Sequence, residues 1–162
     1  MKNYLTNIKL IVYDFDGVMT NNKVYIDQHG NEMVQVNRAD GLGVAKIKKM
    51  GIKQIIMSTE VNPVVTKRAN KLDIPCLQGI ANKKYALTEY CQKNDIDLKN
   101  VAYLGNDIND KDAMAIVGFT FCPADAHISI KNISDYVLQT KGGDGVAREI
   151  YDMILTSDKK EF

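Results

Sequence analysis

Apolar positions along the chain fall into two kinds of segment that alternate. Short, nearly continuous apolar runs rich in β-branched residues occupy residues 8–13, 53–57, 101–104 and 118–122. Runs of this length, apolar without strict alternation, predict strands buried on both faces, as in a parallel sheet. Between them apolar residues recur at helical spacing. Over residues 39–50 the positions Leu42, Ala45, Ile47 and Met50 fit a helix, and Gly51 follows as its stop. Residues 63–72, 82–94, 109–117 and 145–155 continue the series. Alternating strands and helices imply βαβ units with right-handed crossovers, hence an α/β fold with a doubly wound, Rossmann-like parallel sheet.

One stretch interrupts the alternation. Residues 23–26 and 32–36 are β-like runs around Asp27-Gln28-His29-Gly30-Asn31, whose Gly and Asn suit a hairpin turn. Directly after the first strand, a flap of about residues 21–37 would hang over the C-terminal edge of the sheet, where open α/β folds bind ligands. Its place fits a cover over a site or a subunit contact.

Composition narrows the class. The 162 residues suit a single domain spanning 1–162, with no repeat or linker and with a polar, frayed tail expected over 156–162. Twenty-one basic against 20 acidic residues leave a charge of +1, which excludes a strongly basic nucleic-acid binder and offers a membrane surface no electrostatic attraction. No apolar run is long enough to span a bilayer, and Met1 to Asn7 lacks the apolar core of a secretory signal, so a cytoplasmic protein is expected. Cys76, Cys91 and Cys122 are far apart, without a CxxC pair, and read as buried thiols. With His29 and His127 the only histidines, any metal must be held by oxygen, which points to a hard cation such as Mg2+.

The chemistry-bearing residues cluster after strands. The first strand runs into Asp14-Phe15-Asp16-Gly17, and the strand at 101–104 runs into Gly105-Asn106-Asp107-Ile108-Asn109-Asp110. Adjacent parallel strands would bring Asp14, Asp16 and Asp107 to one edge, where their mutual repulsion is relieved by a bound Mg2+. Asn109 or Asp110 could instead cap the following helix. Ser58-Thr59, after the strand at 53–57, offers hydroxyls and amides either as an anion site or as a helix cap. Lys83 opens a helix, the wrong end for a cation by the helix dipole, which suggests pairing with a phosphate or a carboxylate.

In order, Asp14-Phe15-Asp16-Gly17-Val18-Met19-Thr20, Ser58, Lys83 and Gly105-Asn106-Asp107 resemble the four motifs of the haloacid dehalogenase superfamily of aspartate-nucleophile phosphatases. Asn37-Arg38-Ala39-Asp40-Gly41, Gln78-Gly79, Pro123-Ala124-Asp125-Ala126-His127 and the stretch from Gly142 to Glu149 are similar to its small branch, lacking a cap domain, that dephosphorylates 3-deoxy-2-keto sugar acids. The resemblance implies that Asp14 is the nucleophile forming an aspartyl phosphate, and that Asp16 protonates the leaving oxygen and then activates water. It implies Mg2+ held by Asp14, Asp107 and the carbonyl of Asp16. Ser58, Thr59 and Lys83 would hold the phosphoryl oxygens, with Asp110 orienting Lys83 or a water. Asn106 stands where this branch commonly has an aspartate.

The resemblance also bears on the substrate. Enzymes for the eight-carbon acid 3-deoxy-D-manno-octulosonate 8-phosphate typically carry Thr-Gly-Arg where this chain has Ser58-Thr59-Glu60. Glu60 with Arg68 and Lys71 is similar to the branch acting on nine-carbon acids, 2-keto-3-deoxynononate 9-phosphate or N-acylneuraminate (sialic acid) 9-phosphate. Glu60 could accept hydrogen bonds from sugar hydroxyls, and a basic residue could meet the sugar's carboxylate. Related proteins close their open site by forming a homotetramer. The hairpin residues Tyr25, Ile26, Met33 and Val34 supply apolar area for such contacts, and the glycine-rich 141–145 segment could approach a neighbouring site or simply turn into the last helix. The alternatives are the eight-carbon substrate, a signalling receiver domain, and a catalytically silent domain of the same fold.

Overall fold

Among the described residues, fourteen strands and α-helices follow the expected alternation. In chain order they are β1 (Leu10–Tyr13), β2 (Thr20–Ile26), β3 (Glu32–Val36), α1 (Arg38–Lys49), β4 (Lys53–Met57), α2 (Val64–Leu72) and β5 (Cys76–Leu77), then α3 (Lys83–Lys93), β6 (Val101–Leu104), α4 (Lys111–Met114), β7 (Phe119–Cys122), α5 (Ile128–Lys131), β8 (Tyr136–Val137) and α6 (Val146–Asp158). The computed structural model describes residues 5–158. Residues 1–4 of the segment without a signal-like core, and 159–162 of the tail expected to fray, lie outside the described residues. Within the described residues α6 continues through Thr156 to Asp158.

Six strands form one parallel sheet in the order β5-β4-β1-β6-β7-β8, the doubly wound arrangement. The chain builds outward from β1 on one side, then returns to its other side. The crevice between β1 and β6, at their C-terminal ends, is therefore the topological switch point. Alternation through the strands divides the core in two. Ile11, Tyr13, Ile56, Ala102, Leu104 and Phe121 pack beneath α1, α2 and α6. Leu10, Val12, Ile55, Met57, Val101 and Tyr103 pack beneath α3, α4 and α5. Burial on both faces explains why these strands read as continuous apolar runs.

Helix ends follow local side-chain chemistry. Asn37 caps α1 by accepting the Ala39 N–H at 2.8 Å, and Asn82 caps α3 by accepting the Tyr85 N–H at 2.9 Å. The helix expected over 109–117 is much shorter: a 3-10 turn at Ile108–Asp110 leads into the four-residue α4. The cap there is Asp107, which accepts the Ile108 N–H at 2.7 Å; Asp110 completes a capping box by accepting the Asp107 N–H at 3.3 Å, and Asn109 is not the cap. β5, β8 and α5 were not anticipated, since elements of two to four residues are too short to show a period.

The hairpin forms as a separate two-stranded antiparallel sheet, and β2 starts immediately after the 15–19 loop. Its turn is held by Asp27 Oδ1, which accepts the N–H groups of His29 and Asn31 at 2.8 and 2.9 Å. Tyr25, Ile26 and Met33 are about two-thirds exposed.

The 141–145 segment packs against its own chain. Gly143 donates its N–H to Val18 O at 2.9 Å, and a Cβ on Gly142 would lie 2.0 Å from Gly17 O. Only glycine permits that approach. Asp125 Oδ1 accepts the Gly142 N–H at 2.9 Å, and Asp40 Oδ1 accepts the Ala147 N–H at 2.9 Å. The loop after β1 is thus braced by the segment leading into α6.

Helices α1 and α6 approach backbone to backbone at Gly43, where a Cβ would lie 2.5 Å from Ala147 C and 2.6 Å from Arg148 N. Alanine improves an isolated helix over glycine by about 1 kcal/mol. Here its methyl meets backbone, and overpacking of this kind costs about 1–3 kcal/mol. Gly43→Ala is therefore expected to lower the urea midpoint of unfolding despite its better helix propensity; a raised midpoint would contradict this packing.

Candidate active site

β1 ends at Tyr13, and Asp14 continues its line by donating its N–H to Leu104 O at 2.9 Å. The chain then turns through Gly17 at φ +80, where a Cβ would lie 1.9 Å from Asn106 Nδ2. Glycine is needed both for the left-handed backbone and for the space. Thr20 Oγ1 accepts the N–H of Gly17 and of Asn22, each at 3.2 Å, and closes the loop from within. Asp14 is thereby buried at the strand end, while Asp16 is half-buried and faces outward from the turn.

Lys83 joins the two acidic loops. Its Nζ donates to Asp14 Oδ1 and to Asp110 Oδ1, each at 2.7 Å. Asp110 is fully buried, and both of its oxygens are used. Oδ1 also accepts the Tyr103 hydroxyl at 2.9 Å, while Oδ2 accepts the N–H of Asn106 at 2.9 Å and of Asp107 at 3.3 Å. The lysine at the unfavourable end of α3 is thus paired with carboxylates.

Charge is in surplus here. Burial and the charge of Asp110 raise the Asp14 carboxyl to about 7, against the pull of Lys83. Burial opposes the charged ammonium, but Asp14 and Asp110 outweigh it and hold Lys83 above its ordinary value. Asp16 is raised by burial, then by Glu60, with Glu32 of the hairpin adding and Lys83 opposing. The rise at Asp16 places Glu60 and the hairpin within electrostatic reach of it.

A cavity of about 270 Å³ opens in front of these groups, lined by Asp14, Asp16, Asn22, Thr59, Asn106 and Asp107 with Ile108 and Asn109. Among the described residues no three His, Cys, Asp or Glu side chains form a ready metal cage. The donor set still suits a hard divalent cation: oxygen donors from Asp14 and Asp107 face one cavity, and one lysine leaves their charge unbalanced.

The structure thus brings Asp14, Asp16, Thr59 and Asp107 to one cavity with Lys83 behind them. Ser58 is buried beside it, its Oγ accepting the Glu60 N–H at 3.0 Å. Glu60 Oε1 in turn accepts the N–H groups of Val61 and Asn62 at 2.7 and 2.9 Å. Arg68 and Lys71 are not on this cavity. They line a separate hollow of about 460 Å³ with Arg38, because α2 carries residues one and two turns beyond its start toward α1. There Arg68 Nη2 donates to Asn37 O at 2.8 Å. Sequence reasoning missed Tyr103 and Asn22. A tyrosine in an otherwise aliphatic buried strand was the available signal for the first, since a buried hydroxyl needs a partner. Asn22, at φ +64, carried none.

Residues 45–150 match the haloacid dehalogenase-like hydrolase family. The chain is 34% identical over 161 residues to the 3-deoxy-D-manno-octulosonate 8-phosphate phosphatase of Haemophilus influenzae, covering 99% of this chain and 89% of that protein. Among solved structures it is similar to a protein of Streptomyces avermitilis described as of the HAD hydrolase family, with 42% identity, coverage of 98% and 91% of the two chains and a TM-score of 0.93. It is also similar to the 3-deoxy-D-manno-octulosonate 8-phosphate phosphatase of Moraxella catarrhalis in complex with magnesium, phosphate and KDO, with 30% identity, coverage of 95% and 89% and a TM-score of 0.91. With well over half its length matched to one family and nearly all of it aligned with a phosphatase, the chain belongs to the haloacid dehalogenase-like hydrolases and is a phosphatase of that family.

Proposed function

We propose that this protein is a Mg2+-dependent phosphomonoesterase that hydrolyses a phosphorylated 2-keto-3-deoxy sugar acid through an aspartyl phosphate at Asp14. The observation that carries the reading is the placement of two carboxylates with different surroundings on one cavity: Asp14, buried and hydrogen-bonded to Lys83, and Asp16, half-buried, while that ammonium is bonded to Asp14 and Asp110. Asp14 would attack phosphorus as the bond from phosphorus to the sugar oxygen breaks. Asp16, whose carboxyl burial raises from its ordinary value, would give its proton to that oxygen. It would then take a proton from the water that cleaves the aspartyl phosphate and regenerates Asp14. Lys83, the Ser58 hydroxyl and Thr59 would hold the phosphoryl oxygens. Asp14, Asp107 and the main-chain oxygen of Asp16 would hold Mg2+, which supplies positive charge against the carboxylates and the phosphoryl group when bound.

Within this class we infer a nine-carbon acid 9-phosphate as the substrate. Glu60 supports it, standing within electrostatic reach of Asp16 and with its second oxygen unpartnered among the described residues. Such an oxygen suits sugar hydroxyls beyond the phosphate. The eight-carbon 8-phosphate is the second reading, favoured by the names of the relatives at 34% identity. Arg68 and Lys71 enter as cations for the sugar's carboxylate. Because they line a separate hollow, their part depends on contacts between copies. A homotetramer that covers the exposed hairpin residues Tyr25, Ile26 and Met33 would supply such contacts.

Asp14→Asn is expected to reduce phosphate release by about a thousandfold or more while Mg2+-dependent binding of inorganic phosphate partly survives, since one ligand oxygen remains. Substantial turnover by that variant would remove Asp14 as nucleophile. Assayed side by side with Mg2+, the nine-carbon 9-phosphate is expected to show a kcat/KM at least about tenfold above the eight-carbon 8-phosphate, the factor of one good hydrogen bond. The reverse ranking would overturn the role given to Glu60.

A further inference from the structure

Tyr103 is fully buried on β6, on the face of the sheet covered by α3, α4 and α5. Its ring fills core space that any large apolar side chain could occupy. Its hydroxyl does something different: it donates at 2.9 Å to Asp110 Oδ1, the same oxygen that accepts Lys83 Nζ at 2.7 Å. Burial, with the charges of Asp110 and Asp14, pushes the Tyr103 hydroxyl well above its ordinary value, so it keeps its proton and acts as a donor.

Asp110 has no access to water, and its oxygens are served entirely by the protein. Two main-chain N–H groups take Oδ2, while the hydroxyl and the ammonium share Oδ1. That arrangement fixes the carboxylate against rotation. An ammonium has three hydrogens. With one directed to Asp14 and one to Asp110, the direction of the third is set by where those two oxygens stand. Without the hydroxyl, Oδ1 would keep Lys83 as its one side-chain donor among the described residues and draw the ammonium more strongly to itself, away from Asp14 and any phosphoryl group there.

We propose that Tyr103 is a positioning residue of the phosphatase reaction: its hydroxyl locks Asp110, and Asp110 sets the direction in which Lys83 meets the phosphoryl group. The inference rests on the function proposed above, in which Lys83 holds the transferring group.

The test compares Tyr103→Phe with Tyr13→Phe in the full chain. Tyr13 is equally buried, on β1, and its hydroxyl donates to Gln54 Oε1 at 2.9 Å, on the opposite face from Lys83. Both variants keep the ring and lose one buried hydrogen bond. Phosphate release is measured on whichever sugar acid phosphate the wild type turns over best, with kcat referred to folded protein. Tyr103→Phe is expected to lose about tenfold in kcat with KM within twofold, and to bind beryllium trifluoride, a phosphoryl mimic on Asp14, about tenfold more weakly in the presence of Mg2+. Tyr13→Phe is expected to keep kcat and mimic affinity within twofold while its thermal midpoint falls. Equal losses in the two variants, or an unchanged kcat in Tyr103→Phe, would overturn the proposal and leave Tyr103 a core residue. If Tyr103→Phe does not fold, Tyr103→Trp, read by mimic binding against Tyr13→Trp, makes the same comparison. A wild type inactive on every phosphorylated sugar acid would instead remove the proposed function.

Discussion

One ammonium group, Lys83 Nζ, stands 2.7 Å from Asp14, which opens only onto the cavity, and 2.7 Å from Asp110, which is sealed from water. The three residues come from α3, the end of β1 and the turn after β6, separated in sequence by 69 and 27 positions. Their meeting requires the switch point between β1 and β6 and a helix that starts at its mouth. Lys83 at the first turn of α3 opposes the helix dipole by about 0.3–1 kcal/mol. Against this, removing one partner of a buried, hydrogen-bonded charge pair typically costs about 3–5 kcal/mol. The pairing therefore decides where the lysine sits, and Asn82 does the capping that the lysine cannot.

The same constraint shapes what surrounds it. Two carboxylates on one ammonium leave negative charge over, and Asp16 and Asp107 add to it on the cavity side. A cavity with that balance favours a cation and, with it, a phosphate. The loop carrying Asp14 and Asp16 buries Phe15, Val18 and Met19 in the core while its acids face the cavity. It is also held from behind. Gly143 bonds Val18, Gly142 lies on Gly17, and Asp125 and Asp40 secure the 142–147 segment. Asp40 achieves this with its second oxygen buried and unpartnered, and burial lifts its carboxyl to about 6. Such a buried acid persists only where the surrounding packing outweighs its desolvation.

The strands at 53–57 and 101–104 and the helices α1, α2 and α3 were legible to within a residue or so, because long apolar periods and side-chain caps are local signals. β5 and β8 were not, since a two-residue edge strand is defined by its partner rather than by its own sequence. The acidic residues could be assigned to one sheet edge because each follows a strand, and strand ends share an edge in a parallel sheet. Arg68 and Lys71 could not be placed in this way. Their position depends on how α2 turns against α1, which is a matter of packing.

By itself, the sequence determined the alternation of strand and helix, the hairpin after the first strand, and the types of group available for chemistry: carboxylates, hydroxyls and a lysine, with too few histidines or paired cysteines to compete. These are properties of residue type and short-range spacing. Only the tertiary structure decided that Lys83 pairs with Asp14 and Asp110, that Tyr103 shares its acceptor, that the glycine segment braces the loop after β1 in its own chain, and that the Arg68 hollow is separate from the acidic cavity. Each of these depends on groups far apart in the chain meeting at distances of a few ångströms, and no local period encodes that.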